Sequence, residues 1–433
     1  MSQAMRAADI FGDHMVLQRD QPILLFGTGD GTAEAVLGGH TARAESADGR
    51  WRLQLPAMPA GGPYTLQLRL NGKEQVWEDV YIGDVWMAAG QSNMELMLCD
   101  AQHTDDDLRT IPSVRYFKTT LENEGQRQWV EAGPDTTLHF SAIGGRFGRR
   151  MAEAHGIPVG IIGCSRGATC IESWTEKSRL CGTDLELPPE QRFHDAVLYP
   201  NNDYGDLYER MVAPLTPFRM CGVLWYQGES NRGPHDGALY GALLTQLIAC
   251  WRERFEQPEL PFLIVQLTRC GDDESVAFWP LIRQQQLEAS RRIPHTAMVT
   301  TTDLGQTDQI HPVRKKEVAD RLFLAAQHLV FGETAEYCGP LPEAADVDTD
   351  GIRITFSHAE GLHTEGELSD IFCLTEDGTL LHTPAVLDGG TLLIPLPQGS
   401  RVQEIRAWYR NDPIVTLYNG SGFPASPFSL RLA

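Results

Sequence analysis

The chain has 433 residues, 42% of them hydrophobic and 22% charged, enough for two or three domains with sizeable cores. Its formal net charge of −22, with no basic patch to offset it, repels phosphate and argues against a nucleic-acid partner. No apolar run approaches the roughly 20 residues that span a bilayer, so no membrane association is expected.

In chain order, the opening stretch Met1–Asp9 has no apolar core of the kind an export signal needs, and a cytoplasmic protein is expected. Residues 1–78 read as β-rich. Short apolar runs such as Pro22–Gly27 and Trp51–Leu55 are punctuated by Gly, Asp and Pro, and Asp48-Gly49 and Asn71-Gly72 are hairpin signals. Residues 79–334 change character. Val159–Gly163, Cys221–Tyr226, Phe262–Leu267 and Ala297–Thr301 read as buried strands, and Gly237–Phe255 and Val313–Phe331 as helices. In the second helix Val318, Leu322, Ala325, Leu329 and Val330 recur at helical spacing. Such alternation predicts an α/β domain, a parallel sheet with helices on both faces. From 335 to 433 the pattern turns β-rich again, with Gly351–Phe356 and Thr391–Pro395 as strands. The nine cysteines form no C-x-x-C pair and read as reduced thiols rather than zinc ligands, Cys164 among them.

Chemistry gathers at four predicted strand ends. In the first, the apolar run Val85–Ala89 breaks into Gly90-Gln91-Ser92-Asn93-Met94. A serine at the mouth of an α/β sheet is well placed as a nucleophile, although serine there also simply caps helices. The second is Gly163-Cys164-Ser165-Arg166-Gly167-Ala168-Thr169, continuing to Trp174, and the third is Trp225-Tyr226-Gln227-Gly228-Glu229-Ser230-Asn231. Asn231 is the candidate side-chain donor to an oxyanion, or else a turn former; glycine in the second segment lets a backbone N–H approach the same oxygen, with Gly167 and Ser92 as donors. The fourth, Asp308-Gln309-Ile310-His311-Pro312, supplies the base that a serine hydroxyl needs. Pro312 suits a helix start, leaving His311 in the entering loop, with Asp308 three residues earlier as its orienting carboxylate. A capping role for Asp308 or His311 is the plainer alternative. His358, His363 and His235-Asp236 show no metal-ligand spacing, and no cofactor or metal is expected.

Gly-Gln-Ser-Asn-Met, Trp-x-Gln-Gly-Glu-Ser-Asn and Asp-x-x-His-Pro, in this order, resemble the SGNH (GDSL-like) hydrolases, and among them the sialate O-acetylesterase group. The flanks resemble it too, from Phe11–Asp20, Asp48–Trp51 and Gly61–Tyr64 to the closing Asn419–Phe428. The resemblance implies a flavodoxin-like hydrolase domain at 79–334 between β-rich modules at 1–78 and 335–433. It implies Ser92 as nucleophile, His311 as base, Asp308 as orienting acid, and an oxyanion hole of Ser92, Gly167 and Asn231. Gln91, Arg166, Trp174, Gln227, Glu229, Arg283 and Gln286 fall at expected substrate contacts, Arg166 and Arg283 as partners for a sugar carboxylate. The second segment departs from the group's usual Ser-x-Gly-Gly-Thr, because Ala168 stands where a glycine is usual. The implied substrate is a small O-acetylated sugar. An acetyl esterase of plant polysaccharide such as xylan and a non-catalytic carbohydrate-binding protein are the alternatives. Oligomeric state is unreadable.

Overall fold

One strand of 18 residues, Lys73–Gly90, organises the first part of the molecule. The structure, a computed structural model, describes residues 4–121, 127–193, 200–272, 274, 278–396, 399 and 401–432. Its chain divides into two units: Met1–Thr183, Ala196–Trp225 and Gln246–Phe262 form the first, and Asp184–Asp195, Tyr226–Thr245 and Leu263–Ala433 the second.

In the first unit both predicted turns form, but only Asn71-Gly72 closes a hairpin; Asp48-Gly49 is closed by the single Ala47–Arg50 bridge, and the strands on either side of it, His40–Glu45 and Arg50–Leu55, pair in different sheets. Asp48 and Gly49 take φ of 52° and 70°, and Asn71 and Gly72 take 52° and 79°, the paired left-handed conformations of a tight hairpin turn. The second turn feeds strand Gly61–Leu70 into Lys73–Gly90, with Leu70 facing Lys73 across the antiparallel ladder. Beyond residue 80 the long strand changes partners. It runs parallel to Val16–Gln18 and then to Val159–Ser165, the latter in a register that sets Val159 beside Asp84 and Ser165 beside Gly90. Val85–Gly90 is buried throughout, as expected for a parallel strand covered on both faces. Across the sheet the order is Trp129–Ala132, Ile111–Lys118, Val159–Ser165, Lys73–Gly90, Gly222–Tyr226, so this unit carries a large mixed sheet.

Helix Ala142–His155 lies close on that sheet because it has no side chain at two contacts. A Cβ on Gly148 would meet Ile161 at 2.7 Å, and one on Gly144 would meet Ala88 at 2.9 Å. Ser141 caps this helix by accepting from the Gly144 N–H, and Gly156 ends it at φ 65°. Trp86 packs edge-on against Phe147, ring centroids 4.9 Å apart.

In the second unit, strand Phe262–Val265 neighbours Thr296–Val299, and helix Trp279–Arg292 connects them. Helix Lys315–Leu329 follows and buries Val318, Leu322 and Ala325, while Leu329 and Val330 stay partly exposed. It starts two residues later than its periodicity predicts, leaving Val313 and Arg314 in the loop that carries His311. The chain then forms the expected β-rich part. One antiparallel sheet has the order Leu341–Val347, Ile352–Ser357, Thr391–Ile394, Val386–Asp388; another has Leu380–His382, Ile371–Thr375, Val402–Ala407, Phe428–Arg431. The closing segment is tied in by polar side chains: Asn419 Nδ2 donates to the Cys338 and His358 carbonyls, and Gln266 Nε2 to Ser426 Oγ. Among the described residues, no helix is long and apolar enough to cross a membrane.

Candidate active site

The serine segment belongs to the first unit. Strand Lys73–Gly90 ends at Gly90, whose φ of 137° turns the chain out of the sheet. Ser92 opens a single helical turn, Ser92–Glu95. Backbone bonds hold that turn: the Met94 and Glu95 N–H groups both donate to the Gln91 carbonyl at 2.9 Å. Ser141 pins it from the side, its hydroxyl donating to the Met94 carbonyl at 2.6 Å. Ser92 is half-buried between buried Gln91 and Asn93.

The parallel register brings the second segment alongside. Ser165 pairs with Gly90, the Arg166 N–H donates to the Gly90 carbonyl at 3.1 Å, and a Cβ on Gly167 would lie 3.4 Å from that of Ser92. Gly167 therefore lies beside Ser92. Its N–H, however, is already engaged, donating to Glu95 Oε2 at 2.6 Å. The one-turn helix places Glu95 three residues after Ser92, and its carboxylate outcompetes any weaker acceptor for that donor. This corrects the expectation of a Gly167 N–H open to an oxyanion. Ala168 has φ 58°, which accounts for the glycine usual at this position. Ala168 is exposed, so Ala168→Gly is expected to stabilise the protein by about 0.5–1 kcal/mol, the left-handed strain relieved less the entropy of an added glycine. Urea unfolding of the two proteins checks this.

Trp174 also departs from expectation. It is fully buried; its indole N–H donates to Thr169 Oγ1 at 3.0 Å, and its ring packs edge-on against Trp225. Thr169 in turn donates to the Arg166 carbonyl at 2.7 Å. Trp174 thus braces the turn that carries Arg166 and Gly167, both half-exposed.

The Gln227 segment belongs to the second unit. Gly228, at φ 149°, breaks the extended chain, and Asn231 closes the following turn through its N–H to the Gly228 carbonyl at 2.9 Å. Gln227, Glu229 and Asn231 are all buried. Gln227 Nε2 donates to Asn231 Oδ1 at 2.8 Å, which fixes the Asn231 amide with its N–H₂ end turned the other way. Tyr240 holds Gln227 in place, its hydroxyl lying 2.7 Å from the Gln227 carbonyl and 3.0 Å from Oε1. Gln286 Nε2 donates to the same carbonyl at 3.1 Å while its Oε1 accepts from the Leu267 N–H at 2.9 Å. Tyr240 went unnoticed in the sequence, where only its place six residues into the helix after the motif marks it.

Gln286 and Arg283, expected at substrate, are supports instead. Both are fully buried on helix Trp279–Arg292. Arg283 donates to the backbone carbonyls of Thr268, Arg410 and Asn411. Burial draws its pKa down to about 9, so it keeps its charge at neutral pH.

His311 is half-buried in the loop before helix Lys315–Leu329. Burial, and then the charge of Lys315, lower its pKa, which favours the neutral imidazole a general base requires. Asp308 lies apart from this. A bridge between Gln306 and Gln309 places Thr307 and Asp308 at the tip of a turn, and Asp308 is exposed. Among the described residues no hydrogen bond joins it to His311. No group of three His, Cys, Asp or Glu side chains is gathered as a metal-ligand set among the described residues. None of the nine cysteines forms a disulfide, and burial raises Cys164 to about 12, leaving an inert thiol.

A serine in a turn at a strand end and a half-buried loop histidine are residue types that acyl-transfer enzymes use. Comparison with known proteins agrees. Residues 82–326 match the family described as carbohydrate esterase, sialic acid-specific acetylesterase. The chain is similar to the sialate O-acetylesterase of Homo sapiens, 28% identical with 98% of this chain and 92% of the relative covered, and to that of Rattus norvegicus, 29% identical with 79% and 77% covered. Among solved structures it is similar to a carbohydrate acetylesterase from Xanthomonas citri, with TM-score 0.85, 29% identity, and 98% and 99% of the two chains covered. The chain is a hydrolase of carboxylic esters. It belongs to the sialic acid-specific acetylesterase family of carbohydrate esterases.

Proposed function

We propose that this protein removes acetyl groups from hydroxyls of sialic acid, working as an SGNH-type serine hydrolase with a flavodoxin-like catalytic core. The observation that carries the reading is the likeness to the Xanthomonas citri acetylesterase along nearly the whole of both chains. The curated relatives, named sialate O-acetylesterases, point to the sugar.

Ser92 attacks the acetyl carbonyl while His311 takes its proton. The Ser92 N–H and the Asn231 amide, its orientation fixed by Gln227, stabilise the oxyanion. His311 then returns the proton to the departing sugar hydroxyl, and water clears the acetyl-serine by the same steps in reverse. Gly167 contributes its N–H only if Glu95 releases it. Asp308 orients the imidazole once its loop tightens around substrate, since catalytic hydrogen bonds are often long in a free enzyme. Arg166, half-exposed in the second segment, is the arginine assigned to the sialate carboxylate, since Arg283 is sealed from solvent.

Turnover of p-nitrophenyl acetate, butyrate and octanoate, followed by 9-O-acetyl sialic acid against acetylated xylo-oligosaccharides, tests the proposal. Acetate is expected to be cleaved at least about tenfold faster than butyrate, a discrimination of ~1–3 kcal/mol for a pocket that has no room for extra methylenes. Sialate is expected to be preferred over xylan fragments. Preference for octanoate overturns the carbohydrate assignment, and preference for xylo-oligosaccharides moves it to a plant-polysaccharide esterase.

A further inference from the structure

Glu95 is the acidic residue of the turn that presents Ser92. The two stand three residues apart on one helical turn, so their side chains lie on one face of it. Backbone bonds fix the turn: the Leu96 N–H donates to the Ser92 carbonyl at 2.8 Å and the Glu95 N–H to the Gln91 carbonyl at 2.9 Å. A Cβ built on Gly167 would lie 3.4 Å from the Ser92 Cβ and 3.2 Å from Glu95 Oε2. A methyl-sized volume beside Gly167 therefore touches both the serine side chain and the carboxylate.

The carboxylate is oriented as well as close. Oε2 accepts from the Gly167 N–H at 2.6 Å, a charge-assisted bond. Glu95 is half-buried, and among the described residues its other oxygen, Oε1, makes no hydrogen bond or ion pair. One oxygen is thus anchored, the other is left for an incoming donor, and no cation neutralises the pair. A glutamine could accept from Gly167 in the same way and would spare the desolvation of a charge. What the charge adds is strength toward a donor from outside the protein, because a hydrogen bond to an ionised acceptor is about twice as strong as a neutral one. The acetyl group supplies no such donor. Its carbonyl only accepts hydrogen bonds, and a carboxylate beside it repels the negative charge that develops there. Donors come from the alcohol half of the ester. A sugar ester carries hydroxyls on carbons next to the acetylated one, whereas a simple alkyl acetate carries none.

We infer that Glu95 is a specificity residue of this esterase, its carboxylate, oriented by the Gly167 N–H, accepting a hydrogen bond from the hydroxyl beside the acetylated position and so selecting esters of polyols. The inference rests on Ser92 being the nucleophile, and it holds whichever sugar is the natural substrate. It also gives Gly167 a part in the site that does not require its N–H to leave Glu95.

The experiment compares kcat/KM for glycerol monoacetate, which has hydroxyls beside the ester, with that for n-propyl acetate, which has none, in the wild type, Glu95→Gln and Glu95→Ala. The wild type is expected to prefer glycerol monoacetate by about tenfold or more, the worth of one hydrogen bond to a charged group. The preference should shrink to roughly two- or threefold in Glu95→Gln, which keeps a neutral acceptor, and to about one in Glu95→Ala. An unchanged preference in both variants overturns the inference. Turnover of both esters rising together would make Glu95 a plug on a Gly167 donor, and both falling together would make it a brace of the Ser92 turn. A wild type that does not distinguish the two esters refutes the role without any variant, which keeps the test decisive if Glu95→Ala does not fold. Turnover of glycerol monoacetate that persists in Ser92→Ala defeats the nucleophile reading and the inference with it. Failure with 9-O-acetyl sialic acid alone defeats the sugar assignment, while a preference that depends on Glu95 still upholds its role.

Discussion

Ser92→Ala is expected to lower kcat for p-nitrophenyl acetate by at least about 10⁴-fold, toward the ~10⁶-fold seen when a serine nucleophile is removed from a working triad. The fold should survive the change. The helical turn that presents Ser92 depends on the Gln91, Ser92 and Met94 carbonyls and on the Ser141 hydroxyl, none of which needs the Ser92 side chain. Melting temperature should therefore stay within about one or two degrees, as for a substitution that removes no packing. His311→Ala should cost about as much, and the double variant little more, because nucleophile and base act as one unit. Asp308→Asn should be milder, since Asp308 stands exposed on its turn rather than locked to the imidazole. A fluorophosphonate probe gives the covalent readout, labelling Ser92 in the wild type and nothing at that position in the alanine variant. More than about 1% residual turnover in Ser92→Ala would sink the nucleophile assignment.

Much of the architecture was legible because it is written in local chemistry. Asp-Gly and Asn-Gly demanded left-handed turns and received them. Runs buried on both faces, such as Val85–Ala89 and Val159–Cys164, had no polar alternation to misread. The neighbourhood of Ser92 and Gly167 followed from two strands entering one parallel sheet in a register that aligns their ends. Less legible was the length of Lys73–Gly90, which continues as one strand through residue 79, where composition changes, with a bulge at Asp79, φ 54°, between its antiparallel and parallel stretches.

The polar residues of the site divide on similar lines. Motif spacing singles out Ser92, Asn231 and His311 as candidates, but it carries no record of what a long side chain finally touches. Trp174, Arg283 and Gln286 are polar-tipped groups near the motifs, the kind that line sugar sites. In the folded chain each turns inward, Arg283 and Gln286 to backbone groups that would otherwise be buried without partners and Trp174 to the Thr169 hydroxyl. Lys315 shows the reverse failure. One lysine beside another at a helix start reads as surface charge, and only three-dimensional burial separates it from Lys316.

Arg283 gives the largest stability effect expected in this protein. Its guanidinium is sealed from solvent and meets the carbonyls of Thr268, Arg410 and Asn411, so one side chain ties the loop after strand Phe262–Val265 to the chain near residue 410. Arg283→Met keeps most of the volume and leaves the Thr268 and Arg410 carbonyls without this donor, while the Asn411 carbonyl keeps the Cys270 N–H. Each buried acceptor orphaned in this way costs ~1–3 kcal/mol, and release from burying the cation returns part of that. The net expectation is a loss of roughly 2–4 kcal/mol, a large share of the stability of any domain. A substrate-binding arginine predicts something different: an unchanged unfolding midpoint and a KM for acetylated sialic acid raised about tenfold or more. Urea unfolding and steady-state kinetics on the same Arg283→Met preparation separate the two. A lower midpoint with KM near wild type in the folded fraction identifies a structural clasp. A normal midpoint with a raised KM would return Arg283 to the substrate and reopen its claim on the sialate carboxylate, which now rests with Arg166.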